Sequence, residues 1–551
     1  MIIALCLIFF VTEGLGLLKF NYFYYQYFLL FFPSLLYLYL IFIKRKKLSI
    51  PVFPILFYLL YIAFTLTSSL FFSLDKQVSF EKTLVLIGLL FIFIFFYNFK
   101  DLGNKLIKFL PFLGLILSSI YLLLLRFKNL IPVTEKQFVW PIYGGHNHLG
   151  DFLGLVIIIL FWQLLDKKRI SKLLYLILFL LFFCFSFSRS AYIALALTVF
   201  LILLTLKKKI FSAKSLFLIL LPLILTILIT FKFKIKPLTD TQKYFSKNFS
   251  LNKELFSGRD EYFRQSWESF KEKPFFGVGP GNFVYASKKY DDKNIFSDSA
   301  HNLFLEILVE NGIFATLFWL FFTALIIFQA IKHKALAGFL ALYLLFNFQM
   351  DYTYQIFSFG LLFLITSALA LNSVLEIKLP TEIFGISSLL LFLLLVVIIT
   401  SNFFVEINEP YLALEIYPLN KTALKIAIKE QEEVGVTIYQ ESYLSQMQKV
   451  APYDAQFVQM ASSYYLNENQ KEKALSYLIE FYQINKYIDL PWVEQIYDLK
   501  KEVISEQAAR DFLNQIITNY RKISYSYIFS ERFKDLCIKK TGDLCWSVGW
   551  Y

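Results

Sequence analysis

Apolar runs of about 18 to 22 residues recur along this chain, the length a helix needs to cross a hydrocarbon core roughly 30 Å thick, and nothing else in the sequence restricts folding as strongly. In lipid, every backbone amide and carbonyl has to be satisfied within its own segment or by a closed neighbour, so runs this long and this continuously apolar are read as helices. Hydrophobic residues make up 58% of the chain and charged residues 17%. Spans are predicted at residues 2–18, 22–43, 51–74, 82–98, 105–125, 148–165, 172–187, 190–206, 215–231, 302–329, 335–349, 354–371 and 382–404, about thirteen in all. The N-terminal run lacks a basic start and a small-residue cleavage site, so it is read as a retained span rather than a signal peptide.

Basic residues near span ends stay on the cytoplasmic side. Lys44 to Lys47, Lys167 to Arg169, Lys207 to Lys209 and Lys332 to Lys334 fall on alternate connections and agree with one another. They predict a cytoplasmic N-terminus. They send outward residues 126–147, the turn around Ser186 to Ser190, residues 232–301, Met350 to Tyr354 and everything after about residue 404. The net charge of +13 therefore reflects topology, and nucleic acid is not an expected partner.

Two regions fall outside the bilayer. In the external segment 232–301, Ser257 is placed to cap an amphipathic helix that ends at Pro274. Arg259, Phe263, Ser266 and Phe270 fall on one side of it, with Trp267 extending the apolar contact. This stripe predicts a lid packed on the membrane domain. The Gly277 to Phe283 run reads as a tight turn, and without a Lys-Ser/Thr ending it is not a nucleotide-binding loop. The tail, 405–551, shifts to Glu, Gln, Lys, Tyr and Asn with helical spacing. Ala461, Tyr464, Tyr465, Ala474 and Tyr482 are spaced as in one tetratricopeptide-type hairpin, which would need flanking hairpins near 411–447 and 491–520 to bury its faces. Such a tail is either a surface for a protein partner or a structural appendage. Its Cys537 and Cys545 would be permitted to form a disulfide outside the cytoplasm. The predicted fold is thus all-α: a polytopic membrane domain, 1–404, with a helical external loop, followed by an external soluble α-helical, tetratricopeptide-like domain, 405–551.

Zinc-protease, nucleotide-binding and serine-hydrolase motifs and a metal-holding D-x-D are missing, which disfavours ATP-driven pumps and zinc hydrolases. A sparse polar set is left on the outer side. Arg189 lies between two apolar spans with almost no loop around it; a guanidinium there either snorkels to headgroups or meets an anion, and its planar fork suits a diphosphate. His301 stands where the external segment re-enters the bilayer, placed to accept a proton from a hydroxyl as a general base or to sit at a helix cap. Arg264 has Asp260 and Glu268 as ordinary helix partners. His146, His148 and Asp151 match no standard metal spacing. Asp351, on a short outward turn, is either solvated or orients His301 or an acceptor hydroxyl.

Three motifs in order, Phe187-Ser188-Arg189-Ser190-Ala191, the Gly258-Arg259 helix running to Gly277-Val278-Gly279-Pro280-Gly281-Asn282-Phe283, and His301-Asn302 through Leu305 to Gly312, resemble the O-antigen ligase and O-antigen polymerase superfamily. The likeness spans residues 140–370. It implies a membrane glycosyltransferase of the cytoplasmic membrane, working without metal or other cofactor on an undecaprenyl-diphosphate-linked glycan and a glycan, lipid or protein hydroxyl. Under it, Arg189 and Arg259 would bind the donor diphosphate and His301 would be the catalytic base. Arg264, Asn302, Asp351 and Asn147, the last in a Gly-His-Asn-His-Leu-Gly sequence similar to a further family motif, would be accessory. A carrier that flips lipid-linked sugars is the alternative of another class; it would not need an ordered external segment carrying a base.

Overall fold

The computed structural model describes residues 22–43, 47–127, 146–167, 170–186, 188–206, 259–434, 437–521 and 531–542. The predicted spans 2–18 and 215–231, the Lys207 to Lys209 cluster and the Ser257 cap lie outside them. Every other predicted span coincides with a helix: α1 (Tyr22–Phe42), α2 (Val52–Thr67, continued by a π-helical turn Ser68–Phe72), α3 (Lys76–Asn98), α4 (Lys100–Phe127), α5 (His146–Lys167), α6 (Ile170–Phe185), α7 (Arg189–Thr205), α10 (Leu303–His333), α11 (Leu336–Phe348), α12 (Phe357–Ala370) and α13 (Thr381–Glu406). The segment predicted to be external supplies α8 (Arg259–Glu272) and α9 (Phe283–Lys289). Among the described residues, six helices are long and apolar enough to cross a membrane and five more are apolar but shorter. The protein is a multi-pass membrane protein.

Exposure sorts these helices into an inner and an outer set. In α5, 83% of the spanning window is buried, against 33% in α13, so α5 is packed by protein on all sides while α13 keeps an apolar face for lipid. Close approach inside the bundle needs small residues, because lipid offers no hydrophobic drive to press helices together. Gly154 of α5 illustrates this: a Cβ there would lie 2.0 Å from the Tyr343 hydroxyl of α11, which donates 3.0 Å to the Asp151 carbonyl.

A short antiparallel ribbon departs from the all-helical expectation. Strand β1 (Lys47–Pro51) pairs with β2 (Glu376–Pro380), Ser49 opposite Lys378. The Asn98 side chain closes it by accepting from the Ser49 amide at 2.9 Å and donating to its carbonyl at 2.8 Å. Each strand leads into a spanning helix, so the ribbon ties the starts of α2 and α13 together.

Helix α10 is broken at Gly312, whose φ of 76° and ψ of −176° interrupt the helical run. A break inside a span frees carbonyls and amides that lipid cannot satisfy. The glycine turn of the external segment satisfies them: Val278 donates to the Val309 carbonyl at 3.0 Å, Gly279 to Glu310 at 2.8 Å, and the Ile313 amide donates to Pro274 at 2.9 Å. Gly277, Gly279 and Gly281 all have positive φ, and a Cβ on Gly312 would meet the Phe275 carbonyl at 2.1 Å. Only glycine permits two backbones this close.

The external helix turns its faces opposite to the predicted lid. Glu261, Gln265, Ser266 and Ser269 are its buried residues, while Phe263 and Trp267 are exposed. Polar bonding explains this: Gln265 donates to the Ile295 carbonyl at 2.8 Å and accepts from Ser287 at 2.6 Å, and Lys293 pairs with Glu261 at 2.9 Å.

After α13 come α14 (Pro410–Ile416) and then paired helices α15 (Lys421–Val434) with α16 (Thr437–Val450), α17 (Ala455–Asn467) with α18 (Lys471–Ile484), and α19 (Leu490–Val503) with α20 (Glu506–Arg521), closed by α21 (Glu531–Thr541). Ala461, Tyr464, Tyr465, Ala474 and Tyr482 lie in one core shared by these pairs. Cys537 is disulfide-bonded, and Cys545 lies outside the described residues. The array touches the rest of the chain: Lys421 pairs with Asp75, the α3 cap, at 2.6 Å, and Lys486 pairs with Asp292 of the external segment at 3.1 Å.

Candidate functional site

Five sequence-distant pieces meet at one end of the bundle: the first turn of α5, the Ser186–Ser190 turn between α6 and α7, the start of α8, residues 299–302, and the turn after α11. Asp351 is the hub. His301 Nδ1 lies 3.3 Å from its Oδ1, Ser190 donates to its Oδ2 at 3.2 Å, and Arg259 Nη2 lies 3.7 Å from Oδ2. Its own Tyr352 amide donates to it at 2.8 Å. Burial works against the charge of this carboxylate. The hydrogen bond from His301, the charges of His148 and Arg259 and the Tyr352 amide together outweigh burial and hold its carboxyl below the usual carboxylate range.

His301 precedes the α10 cap in a left-handed conformation, φ 52°, which a non-glycine residue adopts only when its surroundings impose it. They do so here. Its amide donates to Ser299 Oγ at 3.0 Å, Ser299 meets the Tyr354 hydroxyl at 2.9 Å, and Glu306 accepts from Tyr354 at 2.5 Å and from the Ala300 amide at 3.0 Å. Asn302 caps α10 by accepting from Leu305 at 2.9 Å and donates to the Gln349 carbonyl at 2.9 Å. The imidazole stacks on Tyr262 at 5.5 Å and meets the edge of Tyr352 at 5.0 Å. With Nδ1 turned to the carboxylate, Nε2 is the nitrogen free for a substrate.

Beneath this pair lies a second one. His148 Nδ1 is 3.4 Å from Asp151 Oδ2, with both side chains sealed at 2% and 0% exposure. Asn347 donates to Asp151 at 2.6 Å and Thr353 at 2.7 Å. Ser188 and Ser190, 3.0 Å apart, join the two pairs, since Ser188 donates to Asp151 at 3.5 Å. The two serines flank Arg189, which opens α7 with an exposed side chain.

His301, Asp351 and Arg259 are therefore brought together, and Arg189 stands on the turn bonded to the same carboxylate. Asn302 is a brace rather than a contact of the hub. Arg264 is engaged elsewhere, by Glu261, by Asp292 at 3.1 Å and by the Tyr290 carbonyl. Of the two carboxylates expected beside it, Glu268 acts on it through its charge, without an ion pair. The helix of the span predicted at 148–165 begins two residues earlier, at His146; Asn147 lies in its first turn, its side chain outside the described residues. The sequence alone gives no role to Asn347, Thr353 or Tyr352, marks Ser188 and Ser190 only as the flanks of Arg189, and offers Asp151 only as a metal ligand. Their signal was polarity inside apolar runs, since a carboxylate or amide in a span marks a network. Among the described residues no group of three or more His, Cys, Asp or Glu side chains is placed to hold a metal ion.

A cationic rim over a carboxylate-oriented imidazole suits attack by a hydroxyl on a centre whose leaving group is anionic. No match to a curated protein was found. Residues 174–320, which carry Arg189, Arg259 and His301, match the family model described as O-Antigen ligase. Over that segment the chain is similar to the O-antigen ligase and polymerase superfamily, whose members are glycosyltransferase-like enzymes.

Proposed function

We propose that this protein transfers a glycan from an undecaprenyl-diphosphate-linked donor to a hydroxyl acceptor at the outer face of the cytoplasmic membrane, as an O-antigen ligase-like enzyme. The observation that carries this reading is the His301–Asp351–Arg259 cluster at 3.3 and 3.7 Å. In the step, the acceptor oxygen bonds to the anomeric carbon and gives its proton to His301 Nε2. The bond from that carbon to the diphosphate breaks with its electron pair going to the phosphate oxygen. Asp351 stabilises the imidazolium, while Arg189 and Arg259 meet the charge on the leaving diphosphate. The reading assigns that charge to guanidiniums and gives no role to a metal ion.

The same reading places the N-terminus in the cytoplasm and divides the chain into a transmembrane glycosyltransferase domain, 1–404, and an external tetratricopeptide-like domain, 405–551. The successive helix pairs of the tail support a protein-docking role. The test is transfer from a purified undecaprenyl-diphosphate-linked glycan by the full chain in liposomes, with lipid, glycan and protein hydroxyl acceptors offered separately. Glycosidic product with one class supports the reading and names the acceptor. Movement of the donor across the bilayer with no glycosidic bond formed would replace it by the carrier.

A further inference from the structure

The outward face of α8 sets exposed aromatic rings among charged side chains, Asp260 and Lys271 included. Its buried side is polar and bonded, whereas Phe263 is 38% and Trp267 50% exposed. Phe263, Trp267 and Phe270 follow one another at i, i+4 and i+7, so they form one stripe, with Trp267 and Phe270 in ring contact at 5.5 Å. The stripe does not end with the helix. Phe275, 58% exposed, stacks on Phe314 of α10 at 6.0 Å, and Phe314 stacks on Phe64 of α2 at 5.2 Å. Phe64 and Phe314 belong to spanning helices, and Phe314 is itself exposed. Phe275, three residues past the end of the helix that carries the stripe, thus joins the lipid-facing wall of the bundle.

The other side of the segment is occupied. Ser287 and Ile295 cover the buried face of α8, and the tail closes over them through Lys486 on Asp292 and Tyr453 against Tyr285 at 6.2 Å. Lys271 stands over Trp267 at 5.9 Å, the pairing of cation and indole that suits a headgroup layer.

We propose that the Phe263–Trp267–Phe270 face of the external helix, with Phe275 beyond its end, lies in the headgroup region of the outer leaflet as an interfacial anchor, its occupant being the bilayer surface itself. Arg259 opens the same helix, so the anchor fixes the height of that guanidinium at the level where the phosphates of membrane lipids lie. The placement depends on no assumption about the reaction.

The test compares the full chain with Trp267→Phe in liposomes of neutral phospholipid, with or without bromine on the upper part of the acyl chains. The chain has seven tryptophans, so the parent-minus-variant difference isolates Trp267. Loss of at least half of that difference emission in the brominated liposomes is expected. A difference signal unchanged by the brominated lipid would overturn the proposal, whatever the remaining tryptophans do. Melting temperatures of parent and variant, equal for an exposed conservative exchange, show that the same fold is being compared.

Discussion

Two histidine–aspartate pairs of nearly equal length, 3.3 Å for His301–Asp351 and 3.4 Å for His148–Asp151, lie in one network and have different surroundings. His301 is 20% exposed and its carboxylate also faces Arg259. His148 is sealed, and its carboxylate is held by Asn347, Thr353 and Ser188, all neutral. Access and cationic charge, not the pair itself, make a site for chemistry. A closed pair with satisfied donors fixes helix positions, here the approach of α5 to the Ser186–Ser190 turn, where a Cβ on Gly150 would lie 2.5 Å from Ser186 Oγ. The serines between them let the closed pair hold the open one in place.

If the open pair does the chemistry, His301→Ala lowers glycan transfer by about a thousandfold, the usual weight of a general base, with little change in melting temperature. Asp351→Asn keeps the shape and loses on the order of a hundredfold in rate. Its pH behaviour has a definite sign. The folded carboxyl lies below its ordinary 3.8, so the stability it contributes is present above that value and is lost as pH falls through the depressed one. Acid melts of parent and Asp351→Asn should therefore diverge above pH 3.8 and converge below it.

If the closed pair is structural, Asp151→Ala reads out in stability. It leaves the Asn347 and Thr353 donors buried without an acceptor, a loss of roughly 2–3 kcal/mol, measured as a lower melting temperature in nanodiscs. Gly154→Ala pushes the Tyr343 hydroxyl off the Asp151 carbonyl and costs about 1–3 kcal/mol, with transfer at permissive temperature within a few fold of the parent. Lys421→Ala removes one hydrogen bond from the buried Asp75 carboxylate while the lysine itself is 25% exposed, and costs about 1–2 kcal/mol.

The sequence made the spans legible because lipid demands length and apolarity together, and it named His301, Arg259 and Asp351 individually. It did not show that residues 50 positions apart, His301 and Asp351, share a hydrogen bond, nor that the glycine turn repairs the helix break at Gly312, since such pairings exist only after the segments meet. The β1–β2 ribbon escaped notice because five-residue strands between spans carry no periodic signal of their own. The orientation of α8 is not legible in its stripe, because an apolar stripe does not reveal what covers it, and bonds from Gln265 and Glu261 to Ile295, Ser287 and Lys293 hold the other face inward.

The most direct test pairs His301→Gln with His148→Gln in one reconstituted transfer assay, with melting temperatures taken on the same preparations. The account predicts that the parent transfers glycan, that the His301 variant keeps its melting temperature and loses transfer by at least about a hundredfold, and that the His148 variant melts lower yet transfers within about tenfold of the parent. Undiminished transfer by a folded His301 variant, with activity lost instead in a His148 variant of unchanged stability, would contradict it.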